Sequence, residues 1–301
     1  VSASAPDGAP DRAALASPTT MLTLQDITVR FGGIVALDSV GLEVRPSEVH
    51  GVIGPNGAGK TTLFNVACGF VQPSSGTITW KGEQLNGLRP HHLARHGIAR
   101  TLQGLGLFDG ISVLENVMVG ADRHGRAGFW SGLLAIPRST GDEKALRERS
   151  LEVLRELDIE GYADRSPASL PYPIRKRVAL ARALVSEPEL LLLDEPASGL
   201  SESEMTELGD IILGLSDRVS VMLVEHHMDL VMRVCSRITV LDFGRVIARG
   251  TPDEVREDPA VLAAYLGNEV THDDGEIDDD ADDRDPNRSL DRDDANGDRR
   301  A

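Results

Sequence analysis

The sequence predicts an α/β protein with a mostly parallel sheet covered by helices on both faces, an antiparallel β subdomain ahead of it and a helical subdomain inserted in its middle. Three observations carry this expectation. Short, wholly apolar runs at Val49 to Ile53, Leu190 to Leu193 and Val219 to Val224 are separated by helical patterns, as strands buried on both faces require. Residues Leu22 to Val44 alternate instead, in the manner of half-exposed strands. Between about Gly104 and Leu170, Leu146, Val153, Leu154 and Leu157 fall on one helical face, with Glu143, Arg147, Glu148 and Arg155 between them.

Taken in order, residues 1–20 are rich in Ala, Ser, Pro and Asp and are expected to form a disordered tail, with no basic start or apolar core of a signal peptide. A compact pattern begins at Met21, which is expected to be the native start, Val1 reflecting an upstream alternative start codon. Strands between Leu22 and Val44 turn at Gly32-Gly33, and the apolar run Val49 to Ile53 ends in a glycine-rich loop. A helix is expected from Lys60, with Gly69 placed to stop it. Thr77 to Trp80 reads as a strand followed by a turn at Lys81-Gly82. The helical subdomain, about residues 104–170, comes next. Then follow a helix over Lys176 to Val185, the strand Leu190 to Leu193, a helix over Glu202 to Leu215, and the strand Val219 to Val224. Ile238 to Leu241 and Arg245 to Ala248 suggest a closing hairpin turned at Phe243-Gly244. The folded unit is expected over residues 21–267; beyond it the carboxylate-rich segment 268–301 reads as a disordered, solvated acidic tail.

The formal net charge of −17 over 301 residues lies largely in that tail. No basic stripe stands out, which argues against nucleic acid as a partner. No run approaches the ~18 apolar residues of a membrane helix, so a transport role would need separate membrane partners. Cys68 and Cys235 fit no metal-ligand spacing and read as buried thiols. His91, His92 and His96 lack the carboxylates or cysteines that would complete a zinc site, and are expected on an exposed helix.

Two motifs carry chemistry. Gly54-Pro55-Asn56-Gly57-Ala58-Gly59-Lys60-Thr61, followed by Thr62, fits the phosphate-loop pattern GxxxxGK[ST], with an apolar strand before it and a helix after. Glycines let successive N–H groups curl around an anion, and the helix start adds its positive dipole end. Lys60 supplies a charge for the β- and γ-phosphates of ATP, and the Thr61 hydroxyl suits Mg²⁺. The run Leu190 to Leu193 then ends in Asp194-Glu195, two carboxylates at the end of a strand where open α/β sheets bind ligands. Asp194 is suited to Mg²⁺ and Glu195 to polarising an attacking water.

The order of phosphate loop, Gln103, the segment "LPYPIRKRVALARAL", "LLLLDEP" and His226 resembles an ABC ATPase from Met21 to about Gly267. The resemblance implies a P-loop NTPase (RecA-like) core, ATP and Mg²⁺ as cofactors, and ATP hydrolysis coupled to transmembrane transport. It implies that Phe31 stacks on adenine and that Gln103 touches Mg²⁺ or the attacking water. It places His226 at the γ-phosphate, with His227 a bystander, and matches Ser198-Gly199-Leu200-Ser201 to the family's D-loop, with Ser201 where many relatives have Asp. Within these ATPases the sequence looks most like the branched-chain amino acid importer group. Its "RTLQGLGLF", "VLENVMVG", "GFWSGLLAIPRS", "GRVIARGTPDEV" and "AYLG" stretches are in that style, some shared with urea-import and lipopolysaccharide-export ATPases. The implied partners are two transmembrane permeases, a second ABC ATPase subunit and an extracytoplasmic solute-binding protein, at the cytoplasmic face of the plasma membrane. A soluble ABC protein acting on DNA or ribosomes would usually carry long coiled-coil insertions or two cassettes, and this sequence has neither.

One segment departs from the family. Where relatives carry an LSGGQ-like signature, this protein has Leu170-Pro171-Tyr172-Pro173-Ile174. Pro171 offers no hydroxyl and neither proline an N–H, although proline suits a helix start. The alternative reading is therefore a nucleotide-binding regulatory subunit of an asymmetric heterodimer, hydrolysing ATP poorly by itself.

Overall fold

The computed structural model describes residues 20–101, 105–121 and 140–269. Residues 1–19 and 270–301 of the two expected tails, the stretch 128–139 and Gln103 lie outside the described residues, whereas Asn268 and Glu269, placed in the expected acidic tail, end a helix instead. The antiparallel part comprises β1 (Leu22–Phe31), β2 (Ile34–Val44), β4 (Ser75–Trp80) and β5 (Glu83–Gln84), in the order β2-β1-β4-β5. β1 and β2 join at Gly32-Gly33 with Phe31 opposite Ile34. The Lys81-Gly82 turn carries φ values of 49° and 83°, the left-handed pair that a tight two-residue hairpin demands.

The second sheet has the order β10-β9-β3-β8-β7-β6, formed by β3 (Val49–Ile53), β6 (Ile98–Arg100), β7 (Leu190–Asp194), β8 (Ser220–Val224), β9 (Arg237–Asp242) and β10 (Arg245–Gly250). All neighbours are parallel except the β9–β10 hairpin. Every residue of β3 and β8 is buried. The cause is the period of two: Leu190, Leu192, Met222 and Val224 pack toward the antiparallel sheet and α1 (Lys60–Ala67). Leu191, Leu193, Val221 and Leu223 pack on the opposite face.

On that face lie α2 (Val113–Val119), α3 (Thr140–Glu156), α4 (Tyr172–Leu184), α5 (Glu202–Leu215) and α6 (Met228–Val234). Val153, Leu154 and Leu157 are buried, with Leu146 packed against them, the face expected from their spacing. α4 begins at Tyr172, four residues before the expected start, because Pro171 caps it and Pro173 tolerates the first turn. Val178, Leu180 and Leu184 of α4 share one core with Leu154 and with Leu191, so the helical segment is continuous with the sheet. Two elements follow that the sequence pattern does not announce: α7 (Pro252–Glu257), opened by a Thr251/Glu254 capping box, and α8 (Pro259–Glu269). His91, His92 and His96 lie on a 3-10 helix, Pro90–His96. Among the described residues no helix is long and apolar enough to cross a membrane.

Candidate nucleotide site

Three neighbouring strands deliver the site. β3, β8 and β7 lie side by side, so the loops at their C-terminal ends converge. The phosphate loop follows β3, His226 follows β8, and Asp194 closes β7. Gly54 and Gly59 hold φ of 149° and 100°, and a Cβ at Gly54 would collide with the Leu241 carbonyl oxygen. Glycine is therefore demanded twice, by conformation and by space. The loop closes at Gly59, which caps α1.

Lys60 is buried and its ammonium donates to the carbonyls of Gly54 (2.7 Å) and Pro55 (2.8 Å). Burial pulls its pKa below the ordinary lysine value, with Glu195 pulling the other way. The same cleft wall includes Asn56, Gly57, Ala58, Thr61, Thr62 and Glu195. It also includes Phe243, 83% exposed and held at the rim because the Gly244 N–H donates to the Ala58 carbonyl. Phe31 is 51% exposed at the end of β1 and is not part of that wall.

Asp194 and Glu195 do different things. Asp194 is half-buried, and its Oδ1 is sealed from solvent without a hydrogen-bond partner. Burial first, then the Glu195 charge, pushes its pKa up to about 6. An orphaned buried carboxylate oxygen is uncommon and costly, and a hard cation would relieve it. The hydroxyl of Thr61 and the Asp194 carboxylate are the oxygen donors that Mg²⁺ prefers, so the residues present fit that ion. Glu195 has a left-handed backbone (φ 47°), and its Oε1 lies 3.9 Å from His226 Nδ1.

The segment expected to serve as the signature, Leu170 to Ile174, offers few donors, since neither Pro171 nor Pro173 has an N–H. Leu170 is buried, while Pro171 and Tyr172 are exposed at the helix start, which has no hydrogen-bonded side-chain cap. Tyr172 does make a contact: its ring edge would lie 3.2 Å from a Cβ at Gly199. Lys176, one turn on, donates to the Pro196 carbonyl at 2.5 Å. Partly buried Ile174 packs against the core. Ser201 serves as the N-cap of α5 in a capping box with Glu204. Arg182 of α4 holds the Leu105 carbonyl at 2.7 Å, just after the Gln103 segment.

Two residues at the site are not singled out by any sequence motif. Phe243 reads as a turn residue only; an exposed aromatic in a tight hairpin is its signal. Glu225 closes an apolar strand with a carboxylate, the same signal that singles out Asp194. Its side chain is fully buried beside His226 and His227. His227, expected to be a bystander, bonds to it through Nδ1 at 3.0 Å.

Comparison with known proteins agrees with this geometry. A family model described as ABC transporter matches residues 37–198, and one described as branched-chain amino acid ATP-binding cassette transporter matches residues 245–271. The high-affinity branched-chain amino acid transport ATP-binding protein BraF of Pseudomonas aeruginosa is 40% identical over 249 residues, 82% of this protein and 98% of its own length. LivG of Escherichia coli K12, with the same description, is 39% identical over the same shares. Among solved structures, a nucleotide-free ATP-binding cassette of an ABC transporter aligns with a TM-score of 0.70 at 28% identity, covering 82% of this protein and 98% of its own length. A cassette in its ADP conformation aligns with a TM-score of 0.71 at 28% identity, covering 82% and 99%.

Proposed function

The protein belongs to the ABC transporter family of ATP-binding cassettes, and from that membership we propose that it powers the import of branched-chain amino acids. ATP hydrolysis by an importer subunit is common ground with its relatives; the solute is the further step. Two matches together support it: a 40% identical relative along nearly its whole length, and the branched-chain family model at residues 245–271.

In this reading ATP binds at the phosphate loop, with Lys60 exchanging its bonds to Gly54 and Pro55 for phosphate oxygens. Phe31 contacts adenine. Thr61, Asp194 and Gln103 would hold Mg²⁺, whose charge would offset that of the phosphates. Glu195 accepts a proton from the attacking water, and His226 faces the γ-phosphate. The partners are two permeases, a second cassette subunit and a solute-binding protein outside the membrane. The protein then works at the cytoplasmic face of the plasma membrane as a peripheral subunit.

The experiment is uptake of labelled leucine by cells lacking the protein. Uptake is expected to fall, to return with the wild-type protein, and not to return with Glu195→Gln. Normal leucine uptake beside lost urea uptake would reassign the solute.

A further inference from the structure

We infer that Glu225 is a positioning residue that holds Glu195 and His226 in register with one another through a single buried carboxylate, an inference that rests on the ATPase reading above. The arrangement is specific. Oε1 of Glu225 accepts the Ala197 N–H at 2.7 Å. Oε2 accepts the N–H groups of His226 (2.9 Å) and His227 (3.2 Å) and lies 3.0 Å from His227 Nδ1. The side chain is 0% exposed, so its lone pairs are committed inside the protein.

The two oxygens serve two different segments. One grips the turn that follows β7; the other grips the segment that follows β8. The turn is stitched to β8 a second time, because the Glu195 N–H donates to the Val224 carbonyl at 2.8 Å. Glu195 sits in left-handed conformation, a backbone state that persists only when its surroundings enforce it. Bonds at Glu195 and Ala197, on either side of Pro196, supply that enforcement. The result is the 3.9 Å approach of Glu195 Oε1 to His226 Nδ1.

The same turn is also reached by Lys176, whose ammonium bonds the Pro196 carbonyl at 2.5 Å and whose pKa is lowered by burial, with the Glu225 and Glu195 charges pulling the other way. The signature helix α4, the Glu195–Ala197 turn and the His226–His227 segment are thus joined through residues 196, 197 and 225. Glu225, His226 and His227 also present ligand atoms within 4.8 Å of one another. A metal there would have to displace bonds that already use both Glu225 oxygens, so the cluster is read as a clamp.

The role demands a carboxylate. A glutamine has one acceptor oxygen, and its NH₂ would face an N–H donor on one side or the other. Glu225→Gln must therefore release either Ala197 or the two histidines. The test uses the full-length protein with ATP and Mg²⁺. Turnover of Glu225→Gln is expected to fall about 10-fold or more while KM for ATP stays within about 3-fold. Amide hydrogen exchange is expected to rise in residues 195–201 and 226–228 and stay unchanged over 54–64. Turnover within about twofold of wild type, or unchanged exchange in 195–201, overturns the inference. So does a KM that rises in step with faster exchange over 54–64, the mark of a merely structural role. If Glu225→Gln does not fold, His227→Phe removes the ring contact alone, and turnover is then expected to fall about 3-fold with KM held; unchanged turnover overturns the inference. A wild-type protein that does not bind ATP overturns the ATPase reading, and this one with it. ATP turnover by wild type beside an indifferent Glu225→Gln overturns this one alone.

Discussion

Nδ1 of His226 stands 3.9 Å from Oε1 of Glu195, at the ends of the neighbouring strands β8 and β7. That separation is beyond a hydrogen bond, so neither group consumes the other's capacity. In the proposed mechanism the carboxylate would face water and the imidazole phosphate. Lys60 shares the cleft wall with Glu195 but is hydrogen-bonded to its own loop, through the carbonyls of Gly54 and Pro55.

Binding and turnover should therefore separate by mutation. Glu195→Gln is expected to keep ATP affinity within about 3-fold and to slow turnover by about 10²–10⁴, the usual contribution of a general base. Lys60→Ala is expected to weaken ATP binding about 10-fold or more, since a charged hydrogen bond to phosphate is lost. Titration with a fluorescent nucleotide and a phosphate-release assay read the two effects. Equal binding defects in both variants would contradict the roles.

Asp194 should leave a pH signature in metal-free solution. Its folded pKa is raised to about 6 from 3.8, so the folded protein holds a proton that the unfolded one has released between those values. That stabilisation is complete below the unfolded pKa and is lost as pH rises through the folded one. Asp194→Asn removes the ionisation. It is expected to melt about 2–4 °C above wild type at about pH 8, a shift worth roughly 1 kcal/mol in a domain of this size. At about pH 4, close to the unfolded pKa, no gain is expected. Thermal scans at both pH values with a chelator decide it; an equal gain in acid would mean that the effect is not electrostatic.

The two exposed aromatics near the cleft make different predictions. Phe31→Ala is expected to weaken ATP about 2- to 10-fold through lost stacking and packing, with no effect on tripolyphosphate, which has no base. Phe243→Ala is expected to cost ATP less. Competition titrations with both ligands measure this, and a larger ATP defect at Phe243 would move the adenine contact to the β9–β10 turn.

The proline-bearing signature should limit the protein acting alone. Neither Pro171 nor Pro173 has an N–H, and Pro171 supplies no hydroxyl at the α4 start. If the missing donors would have faced the γ-phosphate of an opposite subunit, one or two charged hydrogen bonds are forgone. Pro171→Ser with Pro173→Gly is expected to raise the ATPase rate of the isolated protein about 10-fold or more. A wild-type protein that dimerises with ATP and hydrolyses it as fast as this variant would retire the asymmetric heterodimer.

Much is decided locally and so can be read from the sequence. The phosphate loop is legible because its glycines meet backbone demands within one short segment, Gly54 to Thr61. The parallel strands are legible because burial on both faces leaves a continuous apolar run, as at Leu190 to Leu193. The turns at Lys81-Gly82 and Phe243-Gly244 carry their own left-handed requirement. Only the tertiary structure decides what crosses between strands. Glu225 is one more carboxylate after a hydrophobic strand until β7 and β8 pair and bring the Ala197 N–H to it, 28 residues away in sequence. Lys176 is one more surface cation until α4 docks and its ammonium meets Pro196. Local chemistry is set by neighbours along the sequence; the partners of a buried charge are set by the order of strands in the sheet.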